Sequence, residues 1–176
     1  MGWDTAAAVY ADAQARYHRR ALPRKPLSAY VFVVVLVRRG FRYLLVQEGR
    51  QQDRGQWYLP AGGVEPGEDL VSAAIRETRE EAGVDIEVTG IMAIEHMPRL
   101  PGWDFSRWRF VVEARLRPGS PPPRQVPNDD TLRADFFSPQ EIGELRLRGK
   151  DVVRLVSEHS SGAAVAPITV YRPGLA

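Results

Sequence analysis

Residues Gly62 to Val84 read GGVEPGEDLVSAAIRETREEAGV, and the rest of the chain is arranged around them. Pro66-Gly67 marks a turn. Glu68 and Asp69 then put negative charge at a first helical turn, where the backbone dipole favours it, and Gly83 is a natural stop just past Ala82. Counted at about 100° per residue from Val71, the residues Ala74, Ile75, Thr78 and Ala82 fall within about 60° of zero and form one packing stripe. On the same count Glu80 lies at about 180°, Glu77 at about 240° and Glu81 at about 280°. Three carboxylates therefore share one arc, off the expected packing face.

Carboxylates three and four residues apart repel, weakening an isolated helix by about 0.3 kcal/mol per pair. Arg76, four residues before Glu80, and Arg79 relieve part of this. A bound cation would relieve the rest. Such a charge run is commonly a solvated, salt-bridged helix face, but here the glycines and Arg76 accompany it at fixed spacing. With no cysteine and only three histidines in the chain, the available ligands are hard oxygens, which favour Mg²⁺ or Mn²⁺ over zinc. Mg²⁺ binds one or two carboxylates and completes its shell with water and substrate phosphate, so the acidic arc suits a phosphate-bearing substrate.

The stretch resembles the Nudix box, with every charged and glycine position of that pattern matched from Gly62 through Val84. Thr78 stands where an aliphatic residue is usual, and its methyl can still face the packing stripe. The resemblance implies hydrolysis of nucleoside diphosphates linked to another moiety, by water attack at phosphorus with a divalent metal. It also implies roles for individual residues. Glu80 and Glu81 match metal ligands, Glu77 a ligand or general base, and Arg76 the residue that orients the glutamates. Glu68 matches the box acid that supports the site, and the Gly62 or Gly63 carbonyl can approach the metal. Asp130, in the Asn128-Asp129-Asp130 turn, stands about where some members carry an extra acidic ligand or base; a plain capped turn is the competing reading.

The 176 residues suit one domain with a full core. A hydrophobic share of 44% and a net charge of +2 are ordinary for a globular protein and do not call for nucleic acid. Absence of cysteine excludes disulfides and thiol catalysis and fits a cytoplasmic protein. Trp3, Ala6, Ala7, Tyr10, Ala13 and Tyr17 recur at helical spacing, so an amphipathic helix is expected over about 4–18, packed on the domain or on a second copy as a homodimer. Residues 1–26 are thus a helix and linker, 27–159 the hydrolase domain and 160–176 a tail.

Ala29 to Val37, AYVFVVVLV, falls far short of the roughly 18 apolar residues a membrane span needs and reads as a strand buried on both faces. A hairpin return over Phe41–Gln47, a short strand at Trp57–Pro60, and strands over Ile86–Glu95, Arg107–Leu116 and Leu132–Ser138 follow. Ser138-Pro139-Gln140-Glu141 has capping-box spacing, and Lys150–His159 reads as a short helix. A last strand at Val165–Tyr171 is an option for the tail. This order implies a three-layer α/β/α sandwich around a mixed sheet; the resemblance extends over it more weakly, from about Leu27 to His159.

For the substrate, Trp57 and Trp103 could stack on a nucleobase and Arg54 and Arg107 could meet phosphate, although core aromatics and free surface arginines are the commoner uses. The combination of Gln47-Glu48, WYLPAGGVEPGE and the LRxxDVVRLV pattern from Leu147 to Val156 is similar to the branch acting on 8-oxo-guanine nucleoside diphosphates. ADP-ribose or nucleotide-sugar cleavage stays open. So do two readings from other classes: an RNA-cap hydrolase or RNA binder using the basic residues near Arg16–Lys25, and a catalytically silent module on the same fold.

Overall fold

The computed structural model describes residues 28–98 and 105–173. The helix expected over 4–18, and with it the homodimer surface and Trp103, lie outside the described residues. No helix among the described residues is long and apolar enough to cross a membrane.

The continuous apolar run becomes β1 (Ser28–Arg39), and its register explains why it does not alternate. Val33, Val35 and Val37 enter one hydrophobic cluster with α1 (Leu70–Ala82), whereas Val34 and Leu36 enter a second with α2 (Pro139–Glu144) and α3 (Asp151–Ser160). All five are fully buried. At about 1.5–3 kcal/mol for each fully buried aliphatic side chain, the strand welds two cores and has no solvent face over Val33–Val37, whereas Ala29 and Tyr30, expected to be buried as well, are exposed because they precede the covered part of the sheet. The three-layer sandwich follows directly.

The hairpin to β2 (Arg42–Glu48) pairs with β1 only at Arg38–Arg39, after which the two strands part. Into the gap on the β1 side comes β4 (Ala61–Gly63), antiparallel to Phe32–Val34. On the β2 side, β3 (Trp57–Tyr58) and β7 (Thr131–Phe137) pair instead. The other edge of β1 takes β6 (Phe105–Leu116) in parallel, then β5 (Ile86–Met97) antiparallel, giving a mixed sheet. This parting leaves a cleft between the β2 and β1 branches, and α1 runs beside it.

Two local departures matter. The opening glycines of the box form a strand, because β1 offers an unpaired edge once β2 turns away. In the tail, only Ala166–Pro167 pairs with β5, as β8, and Ile168–Val170 makes a 3₁₀ turn. Pro167 has no N–H to extend a ladder. The tail nonetheless packs on the domain, since the Tyr171 hydroxyl accepts the Leu70 N–H at 3.1 Å.

Candidate active site

The box helix is fixed at both ends by its own sequence. Asp69 is the N-cap, its carboxylate accepting the Val71 and Ser72 N–H groups at 2.8 and 2.9 Å. Gly83 ends the helix at φ 73°, a left-handed conformation open to glycine at little cost. Thr78 is fully buried, with its hydroxyl turned back to the Ala74 carbonyl.

Burial of Leu70 and Ala73 besides the expected stripe makes the packed face wider than the sequence count implied. Consequently Glu77 and Glu81 do not stand off the packing face. A Cβ on Gly62 would lie 1.9 Å from the Glu77 carboxyl carbon, so only glycine lets β4 pass beneath that side chain. Glu81 accepts the Ala61 N–H at 3.0 Å. Glu80 alone of the three is well exposed, at 61% of its side chain.

Arg76 organises one wall. Its guanidinium donates twice to Glu68, at 2.9 and 2.8 Å, once to Glu77 at 2.8 Å, and once to the Gly63 carbonyl at 2.9 Å, and reaches Glu80 at 3.4 Å. These bonds hold the Glu68 carboxyl below its ordinary pKa. Glu77 moves the other way, because burial outweighs what Arg76 supplies. Glu81 is pushed up to about 8, chiefly by burial; the Ala61 N–H opposes this, and Glu77 and Glu48 reinforce it.

The opposite wall comes from β2 and two loops. Glu48 ends β2 at a bulge and is buried, at 7% exposure. Its backbone closes the following loop through Gln56 and Gly55, both at 2.8 Å. Arg148 donates to the Glu48 carboxylate at 2.5 Å. Gly49 binds the Asp130 carbonyl at 2.7 Å, which draws the loop before β7 to the cleft. There Asn128 accepts the Asp130 and Thr131 N–H groups and the Asp130 carboxylate pairs with Arg50 at 2.7 Å. Asp130 is therefore both a member of a capped turn and a cleft residue.

The resulting cleft holds about 370 Å³ and is lined by seven acidic residues (Glu48, Asp53, Glu65, Glu77, Glu80, Glu81 and Asp130) against three arginines (Arg50, Arg76 and Arg148). Among the described residues no three carboxylates already form a closed metal cage. The residues nonetheless fit a divalent ion that keeps most of its water. The cleft has surplus negative charge, burial raises the proton affinity of Glu77 and Glu81, and an open shell leaves positions for phosphate oxygen.

Not every expected contact belongs here. Trp57 is 4% exposed and stacks edge to face on Phe137 at 4.8 Å, so the sheet core has claimed it. Arg54 is spent on the Gly49 carbonyl at 2.8 Å and shapes the loop from behind. Arg107 lies over the Phe32 ring at 5.0 Å, on the face of the sheet away from α1, and none of these three lines the cleft. Conversely, Glu48, Arg148 and Tyr30 line it although the sequence reading had not assigned them to the site. A buried-strand pattern ending in Gln47-Glu48-Gly49 carried a usable signal, since a carboxylate there is expensive to bury without purpose. Arg148 stood in the LRxxDVVRLV pattern, which assigned it no role, and tertiary structure brings it to the cleft.

The profile of the NUDIX domain family matches residues 27–156. The chain belongs to the NUDIX family. It is 36% identical over 127 residues to the human protein described as 8-oxo-dGDP phosphatase NUDT18, covering 72% of this chain and 37% of that one. Similarity to the putative nudix hydrolase 1 of Caenorhabditis elegans is 32% over 117 residues, covering 65% and 30%. The chain thus spans about a third of the length of these curated relatives. In fold it is similar to a NUDIX hydrolase from Nitrosomonas europaea, with a TM-score of 0.70 at 23% identity, over 84% of this chain and 98% of that one. NUDIX hydrolases generally use divalent metal ions and act on small nucleotides.

Proposed function

We propose that this NUDIX protein hydrolyses the phosphoanhydride bond of a nucleoside diphosphate derivative, with Mg²⁺, or Mn²⁺ in its place, as cofactor. The observation that supports this most strongly is the gathering of Glu77, Glu80 and Glu81 with Glu48 and Asp130 around one acidic cleft. Phosphoryl chemistry asks a protein mainly to position and neutralise, which is what such a cleft can do once charged with a cation. A bound divalent ion would neutralise phosphate oxygens and lower the pKa of the attacking water. Glu80, Glu81 and the Gly62 carbonyl are the groups to hold it.

Glu77, anchored by Arg76 above Gly62, is the first candidate to take the proton from water, and Asp130 across the cleft is the second. Arg76 keeps the glutamates in register. Among substrates, an oxidised guanine nucleoside diphosphate is preferred, in line with the name of the human relative, and ADP-ribose or a nucleotide sugar is the alternative. A soluble nucleotide rather than nucleic acid, in the cytoplasm, suits the modest net charge and the lack of cysteine.

The test is a nucleotide panel with Mg²⁺ or Mn²⁺, scored by whether phosphate, pyrophosphate or a mononucleotide is released. Phosphate and 8-oxo-dGMP from 8-oxo-dGDP is the expected result. Preference for ADP-ribose, giving AMP, would overturn the substrate assignment, and no divalent-dependent turnover of any nucleotide would overturn the activity.

A further inference from the structure

Resting on that hydrolase reading, we infer that Arg148 is a substrate-binding residue that grips the phosphate chain from the wall opposite the box helix. A diphosphate entering a cleft with more acids than bases needs cationic donors that still have bonds to give. Of the three arginines lining it, Arg76 is engaged by Glu68, Glu77 and the Gly63 carbonyl, whereas Arg50 and Arg148 each bond a single carboxylate and keep donors to give. Arg50, bonded to Asp130 through Nε, is 67% exposed, while Arg148 is the more enclosed of the two. Among the described residues the Arg148 guanidinium donates only to Glu48, through Nη1, and neither Nε nor Nη2 has a partner. Neither of those nitrogens is a buried, unsatisfied atom. The side chain is one-third exposed, at 34%, and lines the cleft. A guanidinium presents five donors in a planar fork, so an edge bonded at one nitrogen retains the geometry that phosphate oxygens match.

The fold prepares this arginine rather than leaving it to swing. Residues 145–150 cross β3 as a strap: Trp57 N–H donates to the Arg146 carbonyl at 2.8 Å and Arg148 N–H to the Trp57 carbonyl at 3.0 Å. Leu147 is bridged to Trp57 as well. The guanidinium then lies 3.8 Å from the Tyr58 ring centroid, a cation–π contact that fixes its plane. Tyr58 is itself held by Asp151 at 2.8 Å. Buried Glu48 fixes the orientation from below. A side chain ordered before substrate arrives loses little rotamer freedom on binding, which favours affinity.

The test separates contact with phosphate from mere service to Glu48. Steady-state kinetics on the nucleotide that the wild type turns over would be measured for Arg148→Met and for Arg148→Met/Glu48→Gln. Binding of α,β-methylene-GDP would be measured beside them in the presence of Ca²⁺. Loss of charge-assisted bonds to phosphate should raise KM and weaken the analogue about ten- to a hundredfold in both variants, with Mn²⁺ affinity within threefold of wild type for Arg148→Met. Arg148→Lys, which keeps the charge but not the fork, should fall between. Recovery of wild-type KM and analogue affinity in the double variant would overturn the inference, because Arg148 would then matter only by neutralising Glu48. Unchanged KM with a lowered Tm in Arg148→Met would overturn it too, leaving a structural role. If the wild type turns over no nucleotide, the hydrolase reading has failed, and the methylene analogue then decides the contact by itself: equal affinity for wild type and variants, or none for either, refutes it.

Discussion

Arg76 and Arg109 sit among carboxylates on opposite faces of the sheet, and the two groups of carboxylates are not neutralised to the same degree. Arg109, on the face covered by α3, pairs with Glu95 and Asp151, and Glu95 and Glu158 are further bound by Arg154. There the Asp151 carboxyl lies below its ordinary pKa, since hydrogen bonds from Tyr58 and Arg109 with the Arg109 charge together outweigh burial. In the cleft, burial wins instead, and Glu48, Glu77 and Glu81 all lie above theirs despite Arg148 and Arg76. One network is nearly neutralised by its own side chains, as structural ion pairs are. The other keeps carboxylates together without enough positive charge, which costs stability and makes sense where a ligand supplies the missing cation. Charge imbalance, more than the number of charges, separates site from scaffold.

The contrast can be broken first at Arg109. Arg109→Met leaves Asp151 half-buried without its cation and Glu95 with Arg154 alone, and should destabilise the fold by about 3 kcal/mol, read by urea denaturation. Nucleotide turnover per folded molecule should stay within a few fold. In the cleft the order reverses. Glu80→Gln or Glu81→Gln should lower turnover about a hundredfold or more, with little loss of thermal stability. An equal loss of stability in both places would erase the distinction.

A pH series sharpens it further. The folded pKa of Glu81, about 8, stands above the ordinary 4.5 expected unfolded, so its stabilising contribution is full below about pH 4.5 and is lost as pH rises through about 8. Without divalent ions, Tm should therefore drop across that window, and Glu81→Gln should flatten the drop. Mg²⁺ should restore Tm more at pH 8 than at pH 5, where the carboxylate is protonated. Asp151 gives the opposite slope, its lowered pKa adding stability that disappears only on acidification. The smallest effect lies outside both clusters: Asp69→Ala removes the N-cap of α1 and should cost about 1 kcal/mol in denaturation, with KM unchanged.

Much of this was legible in the sequence because it is local. A loop, a cap, a stripe and a glycine stop define α1 within a few residues, and its carboxylates follow from helical spacing. The capping box at Ser138 formed as its spacing implied, with Ser138 and Glu141 bonded reciprocally. The unbroken apolar run of β1 signalled two-sided burial before either covering helix was known. What could not be read was set by distance along the chain. Trp57 and Arg107 were drawn into packing by Phe137 and Phe32, partners that no local pattern identifies. Arg148 reaches Glu48 across a hundred positions because a strap happens to cross β3. Glu77 and Glu81 were placed on the right arc, but whether that arc met water or β4 depended on the parting of β1 from β2.

Titration with Mn²⁺, followed by its electron paramagnetic resonance signal, tests the glutamate cluster most directly. Wild-type protein should take up the ion, while Glu80→Gln and Glu81→Gln should each bind it at least tenfold more weakly and Arg109→Met should match wild type. Equal Mn²⁺ affinity in wild type and both glutamate variants would contradict the claim that these side chains converge on a divalent cation.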